Sequence, residues 1–111
     1  MMRAVRWARD ADPERVLVTL VASAASALRS PYAAIELDDQ PEPAAATGKL
    51  PTDPSRLTSV ELTHAGGTLG RLVVAARGHE SFTPADLRLL ADLALPIGAA
   101  VHAVGLAADL H

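Results

Sequence analysis

The residues Phe82-Thr83-Pro84-Ala85-Asp86 mark the start of the helix on which the fold depends. Thr83 is the predicted N-cap, because its hydroxyl can accept a hydrogen bond from the first helical turn. Proline suits the first helical position, which Pro84 occupies, and Asp86 stands where a capping box usually has Glu or Gln. We therefore predict that a helix begins at Pro84.

Apolar residues continue from this start to the end of the chain in two stripes with helical spacing. The first stripe alternates steps of three and four and consists of Leu87, Leu90, Ala94, Ile97, Val101, Val104 and Ala108. The second consists of Leu89, Leu93, Ala100, Ala103, Ala107 and Leu110. A helix that is apolar on two sides has two surfaces to bury, so we assign one to a sheet and one to a second copy. The first stripe is the predicted dimerisation and signalling surface, because its spacing is typical of coiled coils.

The long helix leaves two questions open. Pro96 interrupts the helical pattern, but the apolar residues stay at helical spacing on both sides of it. This favours a kinked helix over two separate helices. No glycine or proline stop follows the stripes, so the helix is expected to continue in a longer parent protein. The alternative to a dimerising helix is a long helix that only packs within its own domain.

A β-hairpin is predicted before this helix. Leu57–His64 alternates apolar and polar residues, and Leu69–Arg77 follows as its partner strand. Gly66 and Gly67 lie between them, and paired glycines supply the positive φ angles of a tight turn. The apolar run 72–74 indicates a central position in the sheet for the second strand.

The N-terminal half is predicted to contribute one helix and two strands. Asp12-Pro13-Glu14 is typical of a helix start, and Ser30-Pro31 ends that helix. Tyr32–Leu37 is predicted to be a strand, and 44–49 a weak one. The order of elements predicts an α+β domain: an antiparallel sheet of about four or five strands with its N- and C-terminal helices on one face.

Three stretches of the C-terminal half resemble a GAF domain. They are Leu69–Val74, Phe82–Leu87 and Leu89–Ala94. Together with Ala99–Val104 they resemble, more narrowly, the GAF-like sensor module of actinobacterial two-component sensor histidine kinases. The resemblance covers residues 12–110 and implies a linker at 1–11 followed by a sensor domain at 12–111.

The resemblance implies a non-catalytic regulatory domain in signal transduction. In such kinases the module lies between a membrane or input segment and the dimerisation and phosphoacceptor helices. The implied partners are a second copy and those helices, and the parent would be a bacterial histidine kinase, a transferase, in the cytoplasm. Any membrane attachment would come through the parent. One alternative is a small-molecule-binding GAF domain of a transcription regulator, with its ligand between the sheet and residues 38–56. Another is a stand-alone dimeric interaction module.

The segment 38–56 departs from ligand-binding GAF domains. It is short and rich in proline and alanine, which argues against a lid that encloses a cyclic nucleotide. The Asn-Lys motif of cyclic-nucleotide binding is absent, because the chain has no asparagine. The chain also has no cysteine, so bilin attachment and methionine-sulfoxide reduction are excluded.

Composition excludes further function classes. Without cysteine there is no disulfide, thiolate-bound zinc or thiol nucleophile. A formal net charge of −3 argues against nucleic-acid binding. The sequence has no Ser-His-Asp pattern, P-loop or dinucleotide fingerprint, so we predict no catalytic residues. It also has no uninterrupted apolar stretch of about 18 residues, so we predict no bilayer-spanning segment.

The four histidines are His64, His79, His102 and His111. No two of them have the i, i+4 spacing of a helical metal site, so we predict no metal and no cofactor. Some sensor GAF domains bind haem through a single histidine, and here His102 would be the candidate cofactor-binding residue. The alternative is that each histidine is an ordinary exposed or hydrogen-bonded side chain.

Overall fold

The computed structural model describes residues 13–77 and 81–109, so the predicted linker and the Asp12 helix cap lie outside the described residues. The described elements are two long helices, four strands and one short 3-10 helix. In chain order they are α1 (Pro13–Leu28), β1 (Tyr32–Leu37), β2 (Ala45–Gly48), the 3-10 helix (Pro54–Arg56), β3 (Leu57–His64), β4 (Gly67–Ala75) and α2 (Pro84–Asp109).

The four strands form one antiparallel sheet in the order β2–β1–β4–β3. β4 lies between β1 and β3, as its apolar run indicates, and Leu72 and Val74 are fully buried in it. Ile35 of β1 and Val60 of β3 lie opposite Leu72 on its two sides. The predicted α+β class is confirmed, and the weak strand expected at 44–49 is the edge strand β2.

Both helices pack on the same face of this sheet. α1 contacts β1 and β2, α2 contacts β3 and β4, and the two helices contact each other. Because alternate residues of a strand point to opposite faces, Ala33 and Ile35 enter the core while Tyr32 and Ala34 lie on the other face. The buried core residues are Leu17, Val21, Ala24, Leu28, Ala33, Ile35, Ala45, Leu62, Leu72, Val74, Leu90, Ala94, Ile97 and Val101.

The structure corrects the predicted dimerisation surface. Its central members are only 3–6% exposed and pack against the sheet of their own chain: Leu90, Ala94, Ile97 and Val101. Val104 is partly buried against the same core, Leu87 is 45% exposed, and the side chain of Ala108 lies outside the described residues. The first stripe holds the bulkier residues, whose burial stabilises the fold most, so its central part, from Leu90 to Val101, covers the sheet of its own chain.

α2 continues through Pro96 without interruption, so the proline does not divide it into two helices. A proline has no N–H to donate to the carbonyl four residues earlier in the helix. Pro96 is exposed, so water can reach that carbonyl instead. On length and composition alone, Pro84–Gly105 would also qualify as a membrane-crossing helix. The core helix of a soluble domain passes the same test, and α2 does pack on its own sheet.

α2 comes close to the backbone of β3 at Gly98. A Cβ added there would lie 2.5 Å from the carbonyl oxygen of Thr63 and 3.3 Å from its nitrogen. Contacts that short are not tolerated, so the glycine allows the helix to lie directly against the strand. Gly105, two turns later, has open space at the same position.

We expect opposite results from the same substitution at these two glycines. Gly105→Ala should stabilise the domain by about 0.5–1 kcal/mol, because alanine is the better helix former. Gly98→Ala should destabilise it by about 1–3 kcal/mol, because α2 must move away from β3. Urea unfolding followed by circular dichroism measures both. Equal effects at the two sites would contradict the close approach.

The β3–β4 turn places two residues at positive φ, Ala65 at 54° and Gly66 at 83°. This is the pattern of a type I′ turn, whereas Gly67 already belongs to β4. Alanine is strained at the first of these positions, because its Cβ crowds the backbone.

Ala65→Asn is therefore expected to stabilise the hairpin by about 0.5–1 kcal/mol, since asparagine adopts this conformation readily. Thermal unfolding followed by circular dichroism should show a higher midpoint. The matched change Ala99→Asn, at an exposed helical position, should not raise it. A lower midpoint for Ala65→Asn would rule out the turn geometry.

The predicted capping box at the start of α2 is confirmed. The Asp86 N–H donates to the Thr83 hydroxyl oxygen at 3.1 Å, and the Thr83 N–H donates to an Asp86 carboxylate oxygen at 3.0 Å. The bond from the Thr83 backbone holds the pKa of Asp86 below its ordinary value.

A carboxylate whose pKa is lower in the folded state stabilises the fold above its unfolded pKa, and this contribution is lost as the pH falls through the folded pKa. We therefore expect the free energy of unfolding to fall below about pH 4, and to fall less steeply in Asp86→Asn. Urea titrations at several pH values measure both slopes. Asp86→Asn with an unchanged slope would contradict the capping role.

The C-terminal end of α1 is capped by two backbone hydrogen bonds and is linked to the sheet by Ser30. The Ser30 N–H donates to the Ala25 carbonyl at 2.8 Å and the Arg29 N–H to that of Ser26 at 3.2 Å, with Arg29 at a φ of 53°. These two bonds form a Schellman motif. The Ser30 hydroxyl then accepts the Ala75 N–H at 3.0 Å, which ties the end of the helix to the end of β4.

Candidate functional site

The side of α2 that faces away from the sheet carries uncovered apolar residues among charged ones. Leu95 is 68% exposed and Leu89 is 37% exposed, and Ala99 and Ala103 are exposed on the same side. We call these four residues the outer face of α2. Leu95, Ala99 and Ala103 follow one another at i, i+4 spacing, so they form a continuous row along the helix.

The second predicted stripe coincides with the outer face of α2 only in part. Leu89 and Ala103 belong to the outer face, whereas Leu93 and Ala100 are partly buried, Leu93 against the core. Leu95 belongs to neither stripe and is the most exposed large apolar residue in the part of α2 up to Gly105, for which side-chain burial is described. Its spacing of four and eight residues from Ala99 and from Ala103, which is in the second stripe, is the signal that could have placed it.

His102 is a partly buried residue of α2 whose ring stacks on that of His64, the last residue of β3. The ring centroids are 4.4 Å apart and the planes differ by 29°. Stacked rings do not aim their nitrogens at a common ion. Within the part of the chain that the structure describes, no group of three or more His, Asp or Glu residues could hold a metal.

An open cavity of about 350 Å³ lies beside His102 on the helix side of the sheet. Leu37, Leu69 and Val101 supply apolar walls, and Asp38 and Asp39 line it from the β1–β2 connection. The structure therefore places the candidate His102 at a cavity, but against another histidine. That no cofactor binds there stays a prediction.

The sheet face opposite the helices carries an ion pair. Arg71 Nε donates to Glu36 Oε1 at 2.8 Å, and the register sets both residues beside each other on β4 and β1. The two side chains are 59% and 34% exposed, so the pair adds little to stability. Cavities of about 370 and 300 Å³ flank it, and Glu36 and Arg71 line both. The larger cavity also touches Gln40, Pro41 and Glu42 of the β1–β2 connection.

A small apolar cluster continues this face beyond the ion pair. Tyr32, Ala34 and Ala75 are buried there, and Leu57 packs against them. Burial raises the pKa of the Tyr32 hydroxyl, and the charge of Glu36 adds to the rise. Arg71 was not predicted as a site residue. The alternation of β4 would have placed it on this face.

Comparison with known proteins identifies the fold through solved structures. No protein-family model and no curated protein matches the sequence. The crystal structure of a GAF domain/HD domain protein from Geobacter sulfurreducens is similar, with a TM-score of 0.68 and 14% sequence identity over 86% of this chain and 95% of that chain. The GAF domain of an Acinetobacter phosphoenolpyruvate-protein phosphotransferase is also similar, with a TM-score of 0.66 and 14% identity over 95% of this chain and 92% of that one. The chain therefore has the fold of a GAF domain.

Proposed function

We propose that the chain is a non-catalytic regulatory and sensory GAF domain of a two-component sensor histidine kinase, in which α2 couples input to the kinase. The outer face of α2 is the observation that carries this proposal. Leu95 and its neighbours are exposed along one side of a helix whose other side is packed on the sheet. Apolar rows of this kind on soluble domains are typical of interaction surfaces.

A second copy of the domain is the occupant that best suits the outer face. The exposed residues Arg88 and Asp92 lie on the same side of α2 and carry opposite charges. In a dimer, the positive charge of one copy can therefore lie near the negative charge of the other. These two charges do not form a patch of like charge that would repel the second copy. Two-fold symmetric dimers are also the commonest form of homo-oligomer among soluble proteins.

α2 is well placed to pass a displacement of the sheet to whatever follows it. Its first turn is held by the capping box, and Gly98 lies against the backbone of β3. Because packed cores are not continuously deformable, a shift of β3 would move the helix as a unit. In this proposal the paired helices carry that movement to the phosphoacceptor helices of the kinase. The parent is a cytoplasmic enzyme, and any membrane attachment comes through it.

The coding sequence beyond His111 tests the assignment. A phosphoacceptor helix followed by an ATP-binding domain is the expected result. A DNA-binding domain in that place would overturn the kinase assignment and favour the second candidate below.

The second candidate is a small-molecule-binding domain of a transcription regulator. The larger cavity beside Arg71 favours it, because that cavity lies between the sheet and the start of the segment 38–56 and is lined by the charged residues Glu36, Asp38, Glu42 and Arg71. A ligand at 100 times its dissociation constant would stabilise the domain by about 2.7 kcal/mol. A thermal-shift screen of small metabolites should then give hits that Arg71→Gln removes. Hits that survive Arg71→Gln, or no hits, would count against this candidate.

A further inference from the structure

The cavity beside His102 lies where three elements of the chain meet. Leu37 at the end of β1, Leu69 of β4 and Val101 of α2 supply its apolar walls. All three side chains also pack in the core, so the fold holds these walls in place. A volume of about 350 Å³ is at the lower end of the range for ligand pockets, which indicates a small ligand.

The charged part of the lining is negative. Asp38 and Asp39 are exposed and line the cavity from the β1–β2 connection. Among the described residues, no lysine or arginine lines this cavity. The two carboxylates therefore favour a ligand with a positive charge and disfavour an anion.

An organic cation suits this lining better than a metal ion does. The described residues offer no group of three or more metal-binding side chains, and the apolar walls have no atoms that bind a metal. An ammonium group can donate charge-assisted hydrogen bonds to the carboxylates while its carbon skeleton is buried against the apolar walls. One molecule of this kind uses both the charged and the apolar part of the lining.

Gly105 lines the cavity from α2 and leaves open space there. A Cβ added at this position would meet no atom within 4 Å. A leucine therefore has room at this position, and it forms helix better than glycine does. Gly105→Leu is thus expected to reduce access to the cavity while the domain stays folded.

We propose that this cavity binds a small organic cation, a primary ammonium group on a short apolar or aromatic body. The ammonium group lies at Asp38 and Asp39, and the apolar body lies against the three apolar walls. Because these walls belong to both the sheet and α2, a bound cation holds the helix against the sheet. The role of this cation as a sensed signal rests on the proposed function, whereas its binding is a property of the domain itself.

The test is a titration of the domain with benzylammonium chloride at about pH 8, above the range in which histidine ordinarily changes charge. Amide NMR spectra report where the cation binds. The signals of residues 37–39, 68–69 and 101–105 should shift together, with a dissociation constant of about 1–10 mM for a molecule this small. Benzyl alcohol has a similar shape without the charge, and benzoate has the opposite charge. Both should bind at least about tenfold more weakly.

Variants of the domain locate the bound cation. The double variant Asp38→Asn/Asp39→Asn keeps the size of both side chains and removes both charges, so binding should weaken at least about tenfold. Gly105→Leu should weaken binding by a similar factor. Glu61→Gln is the matched control, because it removes a negative charge from the opposite face of the sheet. It should change the dissociation constant by less than about twofold.

Equal binding of benzyl alcohol would overturn the proposal, and so would wild-type affinity in the double variant or in Gly105→Leu. The absence of a saturable shift up to about 50 mM would overturn it as well. These results leave the regulatory assignment untouched, because that assignment depends on the coding sequence beyond His111. A DNA-binding domain beyond His111 would in turn overturn the kinase assignment without changing the titration.

Discussion

Gly70→Ala is expected to destabilise the domain by about 3 kcal/mol or more, a large fraction of the stability of a domain this size. Gly70 lies in the central strand β4, opposite Leu37 of β1 and Leu62 of β3. A Cβ added at Gly70 would collide with the carbonyl oxygen of Glu36. The obstacle is backbone on a paired strand, so no side-chain rotation relieves it, and the β1–β4 pairing must give way.

Gly67→Ala is the matched control in the same strand. A Cβ at Gly67 would lie 3.7 Å from the His64 carbonyl oxygen, which is an ordinary van der Waals distance. We therefore expect a change within about 1 kcal/mol at that position. Urea unfolding followed by circular dichroism separates the two variants. If Gly70→Ala proved no more destabilising than Gly67→Ala, the close approach of β1 to β4 would be refuted.

A second large effect is expected from one substitution placed on the two sides of α2. Ile97 is 3% exposed in the core, and Leu95, two residues earlier, is 68% exposed. Ile97→Glu buries an unpaired carboxylate and removes an apolar side chain, so a loss of about 4–5 kcal/mol or outright unfolding should follow. Leu95→Glu places the same charge in water and should change the free energy of unfolding by about 0.5 kcal/mol at most.

Chemical unfolding of both variants, at a concentration low enough to keep the domain monomeric, measures this contrast. A destabilisation by Leu95→Glu as large as that by Ile97→Glu would mean that the outer face of α2 is packed within the domain. The proposed interaction surface would then not exist.

The order of elements could be predicted from local patterns, and the GAF-like architecture from the resemblance of three stretches of the C-terminal half. The alternation of Leu57–His64, the helix start at Thr83 and the apolar run of β4 each depend on neighbours within a few residues. The capping box between Thr83 and Asp86 was predicted for the same reason, because both partners lie within one helical turn.

The orientation of α2 was not predictable from its apolar pattern. Both stripes contain apolar residues at helical spacing, and periodicity does not say which of them meets the sheet. The signal that decides the question is Gly98, since a glycine within a helix can mark a close backbone approach. Gly98 lies beside Ile97 and Val101 and on the side opposite the second stripe, which assigns the first stripe to the sheet.

The contacts of the candidate site could not be predicted from the sequence for a different reason. His64 and His102 come together only when α2 lies across the end of β3, and Arg71 meets Glu36 only through the register of β1 on β4. Ser30 was predicted only as part of the Ser30-Pro31 helix stop, yet its hydroxyl accepts a hydrogen bond from the Ala75 N–H. Such contacts depend on tertiary packing, which single-residue preferences do not encode.

The most direct test of whether the outer face of α2 binds a second copy is sedimentation velocity. It compares the wild-type domain with Leu95→Glu at protein concentrations up to several hundred micromolar. We expect the wild type to pass from monomer to dimer as the concentration rises, and Leu95→Glu to stay monomeric with an unchanged melting temperature. A wild type that remains monomeric throughout, or a Leu95→Glu variant that associates as the wild type does, would contradict this arrangement.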